Sequence, residues 1–437
     1  MVVPGPVSRP STGSLTDEPG SGQGHTRTPD ATVEETPMAR KRFGIFLPPH
    51  HVPVGQNPTY SLQRDVQLVQ TLDQMGYDEA WFGEHHSCGV EPLGDPLMFI
   101  AHCAQVTKHI KLGAGVLSLP YHNPFLVADR VVLLDHLTRG RAMLGVGPGA
   151  LATDALMLGI DPKDTRAALE TDVEVLMHLL RSDEPISIKT DRYELVDARL
   201  QLDSFSDPHL EVATAAIVSP SGPRLVGKHG LGMISIGATM SQDGFDALKM
   251  HWDVVEERAQ EFGQTVDRSG WRLVGPMHIA DTRDQAIKDV AYGIDAWFDY
   301  LQHTAAAPQL GVLGENTKER IEFVIESGMG VIGTVDDAIQ KIEQLEEQSN
   351  GGFGAYLMFA HNWAPWEQTL HHYHLFANHV IPQFKGTTRK LKANEAWTRS
   401  VREPLAARQW DAINSWTAQH AEERAQATGG KVVTAQA

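Results

Sequence analysis

Between Phe43 and Phe384 one local pattern repeats: a short apolar run ending in glycine or polar residues, then a longer stretch with apolar residues at helical spacing. Short apolar runs bounded by turn residues read as buried strands, and repeated strand–helix units pack as parallel sheet. The strand-like runs are Phe43–Leu47, Glu79–Gly83, Ile110–Leu119, Arg141–Val146, Leu210–Ala216, Gly232–Ile236, Trp271–Ala280 and Gly354–Phe359. The first helical segment, Ser61–Met75, shows the spacing plainly: Leu62, Val66, Val69, Leu72 and Met75 share a face, and Gly76 stops it. Further helices are expected over Pro124–Leu137, Thr165–Leu180, Gly222–His229, Ser241–Phe262 (with Ser241 as cap), Val335–Gln348 and Trp366–Phe384. Eight units over roughly 345 residues favour a (β/α)8 TIM barrel with insertions. The rival, a doubly wound open sheet, would need a dinucleotide fingerprint after its first strand, and none is present. Tyr300–Gly330 fits neither period and is expected to be an insertion.

The ends of the chain differ in composition. Residues 1–41 are rich in Pro, Gly, Ser and Thr without apolar periodicity and read as a disordered tail, within which Met38 is a candidate alternative start. Residues 42–386 are the expected barrel; residues 387–437 are charged and Ala-rich, a helical extension to about Gln426 and then a frayed tail. The net charge of −18 argues against a broad nucleic-acid face, though backbone dipoles still bind a small anion locally. Two cysteines, Cys88 and Cys103, give neither a disulfide framework nor a zinc cluster and fit a reducing cytoplasm. No apolar run reaches the ~18 residues of a membrane span, and no signal-peptide core is seen at the N-terminus.

In a barrel of this kind the active site lies at the carboxyl ends of the strands. Polar clusters fall at five of those ends: Pro48–His51, Glu84–Ser87, Tyr121-His122-Asn123, Gly145–Gly149 and Ser219–Gly222. Each alone reads as a polar strand end; their shared rim is the informative feature. Glu84-His85-His86 makes a poor metal site, because neighbours on extended chain face opposite ways and no HxxxH or HExxH spacing accompanies them. The run His371-His372-Tyr373-His374 lies on an expected helix without Cys or Asp nearby, so no metal is expected. An imidazole that titrates near neutrality suits acid–base work, with structural hydrogen bonding as the alternative. Ser219, Ser221 and Gly222 open a helix, a suitable place for a phosphate, or merely an ordinary cap. Gly113 and Gly115 inside a central strand mark a bulge or a close approach by a ligand.

Taken together, EAWFGEHHS, IKLGAGVLSLPYHNP, ADRVVLLDHLTRGRAMLGVGPG and VATAAIVSPSGPRLVGKHGLG resemble the luciferase-like flavin monooxygenases from about Arg42 to Lys385. FGIFLPPHHVPVGQNPT, PYHNP and GVGPGAL are most similar to the limonene 1,2-monooxygenase-like branch. The resemblance implies a cytoplasmic, two-component monooxygenase that forms a homodimer. It would use reduced FMN (or FAD) from a separate NAD(P)H-dependent flavin reductase, and dioxygen through a flavin hydroperoxide, to oxygenate a small apolar substrate such as a monoterpene. It places His85 and Glu84 at the catalytic position and Gly115-Val116 at a non-prolyl cis peptide under the flavin. It places Asn123, Gly147, Ser219, Ser221 and Gly222 among the cofactor contacts. Where several relatives carry a phosphate-pairing arginine after the fourth strand, this chain has Pro148, which shifts the expected phosphate contacts to the Ser219 turn and Arg224. The same barrel serves deazaflavin-dependent dehydrogenases and non-catalytic accessory subunits, the two alternatives. Expected pocket walls are Phe46, Trp81, Phe82, Leu117 and Trp363.

Overall fold

The structure is a computed structural model that describes residues 40–51, 56–236, 242–305 and 314–429. The first 39 residues, Met38 included, and the Ser241 cap lie outside the described residues. The eight barrel strands are β1 (Arg42–Leu47), β2 (Glu79–Phe82), β3 (Lys111–Ser118), β4 (Ala142–Gly147), β7 (Glu211–Ala216), β8 (Gly232–Ser235), β9 (Trp271–Ile279) and β11 (Ala355–Phe359). A hairpin of β5 (Ile186–Lys189) and β6 (Glu194–Ala198) and a short strand β10 (Val331–Gly333) complete the set. The barrel strands run parallel in the order β1-β2-β3-β4-β7-β8-β9-β11, and β11 pairs back onto β1, so the sheet closes.

All eight expected strands form. The three others escape the sequence pattern: β5 and β6 are half-exposed and antiparallel, and β10 is three residues beside β9. The expected irregular stretch Tyr300–Gly330 contains the end of helix Ile294–His303 and a further helix, Thr317–Ser327, which Asn316 caps. A 40-residue helix, Arg389–Thr428, follows the barrel with none of its residues buried.

Helix starts follow a recurrent local rule. Helices Pro58–Met75, Pro96–Val106 and Pro124–Thr138 each begin with proline after an Asn or Asp whose side chain accepts backbone N–H groups (Asn57, Asp95, Asn123). Proline loses nothing at a position whose N–H is free anyway, and the preceding Asx oxygen satisfies the next ones. The first of these helices thus starts three residues ahead of Ser61.

Side chains alternate across each strand, which separates two apolar layers. Phe46, Trp81, Met143, Ala213, Ile234, Val274, Leu357 and Phe359 fill the barrel interior together with Trp297 and Trp363. Ile45, Phe82, Leu112, Leu144, Met233, Tyr356 and Leu117 belong to the outer layer beneath the helices. Phe46, Trp81 and Trp363 are therefore interior, whereas Phe82 and Leu117 are not pocket walls: Phe82 follows inward-facing Trp81 and must face outward. The strand glycines make room for this packing. A Cβ on Gly113 would stand 2.4 Å from Trp81 Cε3, and one on Gly115 would stand 2.7 Å from Trp81 Cβ. At the barrel floor, wholly buried Arg272 pairs with wholly buried Glu79 (2.7 and 3.1 Å) and with Glu211 (2.7 Å). Burial pushes the Glu79 carboxyl up, but Arg272 and Arg42 outweigh it and hold it at about 2.

Candidate active site

Chain leaving β2 brings Glu84 and His85 to the mouth, facing different partners. Glu84 is buried and accepts hydrogen bonds from the Ser118 N–H at the end of β3, from His122 Nε2 (2.6 Å) and from His86 Nε2 (3.2 Å). Burial pushes its pKa up, yet the bonds from His122 and Ser118 win, so it sits below the ordinary carboxylate value. An anionic Glu84 thus ties the exits of β2 and β3 together and contacts neither nitrogen of His85.

His85 turns toward two other carboxylates. Its Nδ1 is 3.3 Å from Asp154 Oδ2, and its Nε2 is 3.0 Å from Glu91 Oε2, a close contact without the alignment of a straight hydrogen bond. Asp154 also accepts from the His86 N–H (3.1 Å) and the Ser87 hydroxyl. Burial lowers the His85 pKa, but Asp154 and Glu91 more than offset this and raise it to about 9. Nearby, the Tyr300 phenol faces Glu91, and burial with that carboxylate raises its pKa strongly. His50 lies beside Tyr300, ring centroids 5.4 Å apart; burial lowers its pKa to about 4, and neither ring nitrogen has a hydrogen-bond partner among the described residues.

The second half of the mouth follows β4 and β7. A cavity of 390 Å³ is lined by Pro148, Arg166, Glu170, Ser219, Ser221, Gly222 and Asp243, among others. Ser219 and Ser221 hydroxyls lie 2.9 Å apart at the start of helix Ser221–His229. Gly222 is fixed by close approach: a Cβ there would stand 2.2 Å from the Ala215 carbonyl oxygen of β7. The absence of that Cβ lets the helix N-terminus rest directly on the strand, with two hydroxyls and a guanidinium bordering one hollow. This donor set fits a phosphate group. The guanidinium belongs to Arg166, in the first turn of helix Thr165–Arg181; Arg224 does not line the cavity.

Other residues of interest take definite places. The Gly115–Val116 peptide is cis, in the β3 segment where pairing to β4 shifts register. Gly147 accommodates Val116, whose Cγ2 would meet a Cβ at 2.6 Å. Asn123 uses its side-chain oxygen to cap a helix, accepting from Phe125 N (3.0 Å) and Leu126 N (3.4 Å). The three histidines of the 371–374 run diverge: His371 meets Asp281 (3.0 Å), His372 is buried and accepts from Ile279 N (3.1 Å), and His374 meets Asn378. Asp154, Glu91, Tyr300 and Arg166 were not legible as site residues, because each arrives from a segment without a local motif.

Comparison with known proteins gives a consistent picture. A family model described as luciferase-like monooxygenase matches residues 41–349. Limonene 1,2-monooxygenase of Rhodococcus erythropolis is 45% identical over 353 residues, covering 80% of this chain and 88% of that protein. 4-Hydroxyprotoasukamycin monooxygenase of Streptomyces nodosus subsp. asukaensis is 40% identical over 363 residues, covering 82% of this chain and 96% of that one. Among solved structures, the oxygenating constituent of 3,6-diketocamphane monooxygenase from Pseudomonas putida, a type II Baeyer–Villiger enzyme in complex with FMN, superposes with a TM-score of 0.65. It is 24% identical, covering 79% of this chain and 99% of that one.

Proposed function

The chain belongs to the luciferase-like monooxygenase family, and from that premise we propose that it is the oxygenase of a two-component system. It takes reduced FMN from a separate NAD(P)H-dependent flavin reductase and uses dioxygen to oxygenate a small apolar molecule, with a monoterpene such as limonene the first choice. The observation that carries this reading is the division of one mouth into an anion hollow and an imidazole held between two carboxylates. Ser219, Ser221, Arg166 and the helix start at Gly222 would hold the phosphate. Bound reduced flavin supplies the electrons that activate dioxygen.

The chain's own residues then do three things. The hollow at the Ser219 turn anchors the charged tail and so fixes the orientation of what it carries. His85 stands protonated at the mouth and donates a proton or hydrogen bond where oxygen is reduced. Phe46, Phe359, Trp297 and Trp363 in the interior below keep the site apolar and limit water. The substrate class rests on likeness to the limonene enzyme, and FMN as the flavin on the hollow and on the FMN held by the diketocamphane monooxygenase neighbour.

Two context readings accompany it. Exposed Met98, Leu126, Leu133 and Leu137 on helices Pro96–Val106 and Pro124–Thr138 support a homodimer pairing there; sedimentation of the wild type against Leu133→Glu tests it. Free Cys88 and Cys103 support a reducing, cytoplasmic setting. Among the described residues no helix is long and apolar enough to cross a membrane.

An anaerobic titration separates flavin from its alternatives. Reduced FMN is expected to bind at least ~100-fold more tightly than reduced riboflavin, the worth of about 2.7 kcal/mol of phosphate contacts. Equal affinity for the two, or tighter binding of a reduced deazaflavin, refutes the reading.

A further inference from the structure

We propose that Glu91 is a positioning residue for His85: with Asp154 it clamps the imidazole between two carboxylates, so that both ring nitrogens carry hydrogen and the ring serves as a fixed cationic donor, not as a base. The inference deepens the reading of His85 given above and rests on it for its catalytic meaning.

The geometry leads to this directly. A neutral imidazole has one N–H donor and one bare lone pair. Here each nitrogen faces a carboxylate oxygen, Asp154 Oδ2 at 3.3 Å and Glu91 Oε2 at 3.0 Å, and an ionised carboxylate only accepts. A neutral ring would set a lone pair against one of them. The two carboxylates also differ in how they are compensated. Asp154 has the His86 N–H and the Ser87 hydroxyl as well as His85. Glu91 is 5% exposed, its Oε2 has no aligned hydrogen-bond donor among the described residues, and the basic nitrogen against it is His85 Nε2. A buried carboxylate without a cation is costly, so Glu91 needs the imidazolium as much as the imidazolium needs Glu91.

Among the described residues the surroundings add no competing cation. Cys88 and His50 face Glu91, and Tyr121 faces Asp154. Burial and the Glu91 and Asp154 charges raise the Cys88 thiol; burial leaves His50 neutral; burial and the Asp154 and Glu84 charges raise the Tyr121 phenol to about 12. The clamp is assembled from three elements: the loop after β2 gives His85 and Glu91, the short helix Ala152–Met157 after β4 gives Asp154, and helix Ile294–His303 gives Tyr300. The His85 N–H bonds to the Leu93 carbonyl (3.1 Å), which closes the loop around Glu91.

The test is an imidazole NMR titration of the full-length protein without cofactor, with His85 assigned by loss of its signal in His85→Asn. Wild-type His85 is expected to titrate well above neutrality. Glu91→Gln and Asp154→Asn are each expected to lower the midpoint by about one unit or more, the usual effect of an opposite charge at this range. Glu91→Asp keeps the charge but retracts it by one methylene, and should fall between wild type and Glu91→Gln. With reduced FMN, a candidate substrate and dioxygen, the alkaline limb of the rate profile should move with the NMR midpoint. A wild-type midpoint near 6.5, or a Glu91→Gln midpoint unmoved while Asp154→Asn shifts, overturns the proposal. Should Glu91→Gln fail to fold, the wild-type midpoint and the Glu91→Asp shift decide. Failure of the readings it rests on shows separately: oxygenation left intact in His85→Asn would remove the catalytic role of His85, and no oxygenation by the wild type would remove the oxygenase reading, whatever the titration gives.

Discussion

Replacing Arg166 by alanine probes the anion hollow with little disturbance to the fold, because Arg166 is exposed and sits in the first turn of its helix. The hollow's charged lining residues are one cation, Arg166, and two carboxylates, Glu170 and Asp243. A phosphate contact to a guanidinium in a buried setting is worth about 1.5–3 kcal/mol. Exposure at Arg166 reduces that by about half, since solvent screens the pair. Loss of the guanidinium also leaves the phosphate facing Glu170 and Asp243 alone, and like charges a few ångströms apart near a surface cost on the order of 1 kcal/mol. The sum is about 1.5–2.5 kcal/mol, a ~10–70-fold rise in the Kd of reduced FMN. Anaerobic calorimetry of wild type and Arg166→Ala, with reduced FMN and reduced riboflavin, reads it. Riboflavin affinity should change less than about twofold, and the FMN effect should shrink at high salt. Equal weakening of both ligands, or no change for FMN, would refute the placement of the phosphate.

Further expectations follow from the same geometry. His85→Ala should keep FMN affinity within a few-fold and cut product formation by ~10²–10⁴, the usual size for an acid–base group, measured by product chromatography. Gly113→Ala should destabilise the barrel by about 3 kcal/mol or fail to fold, as its methyl group meets the Trp81 indole; urea denaturation checks this. Glu79→Gln should cost about 3–5 kcal/mol by leaving Arg272 charged and underpaired at the barrel floor, and a loss below 1 kcal/mol would count against that account. Stability should also peak near neutral pH. His50 and His361 have folded pKa values lowered to about 4 and about 3 by burial, so their contribution is present above ~6.5 and is lost as pH falls toward those values. His85 acts oppositely: raised to about 9, its contribution is full below ~6.5 and lost as pH rises through 9. Thermal unfolding from pH 4 to 10 reads both limbs, and the alkaline one should shrink and move to lower pH in Asp154→Asn.

The barrel was legible because its signals are local. Apolar runs and helical periods locate all eight strands, since buried parallel strands need continuous apolar sequence. β10 and the β5–β6 hairpin were not, being short or half-exposed. Phe82 and Leu117 show a different limit: composition marks them as buried, but only register tells which face they occupy. At the mouth, Glu84 and His85 are adjacent in sequence and look like a pair, yet alternation sends Glu84 to His122 and His86, and His85 to Asp154 and Glu91. Those partners come from other loops and leave no spacing signature. Arg166 is similar. The missing arginine at Pro148 pointed to a gap in the phosphate contacts, but which distant arginine borders the hollow depends on how helix Thr165–Arg181 packs across the barrel. The resemblance singled out His85 among the histidines; residue chemistry already favoured acid–base work and a phosphate at the Ser219 turn, with a structural imidazole and an ordinary helix cap as the alternatives.

Isotope labelling tests the central claim most directly. The wild-type protein is given photoreduced FMN, limonene and ¹⁸O₂ in ordinary water, with a matched anaerobic reaction, and products are read by mass spectrometry. The account predicts product carrying one labelled oxygen atom and no product without dioxygen. Product that carries oxygen from water, or that forms equally well without dioxygen, would contradict it.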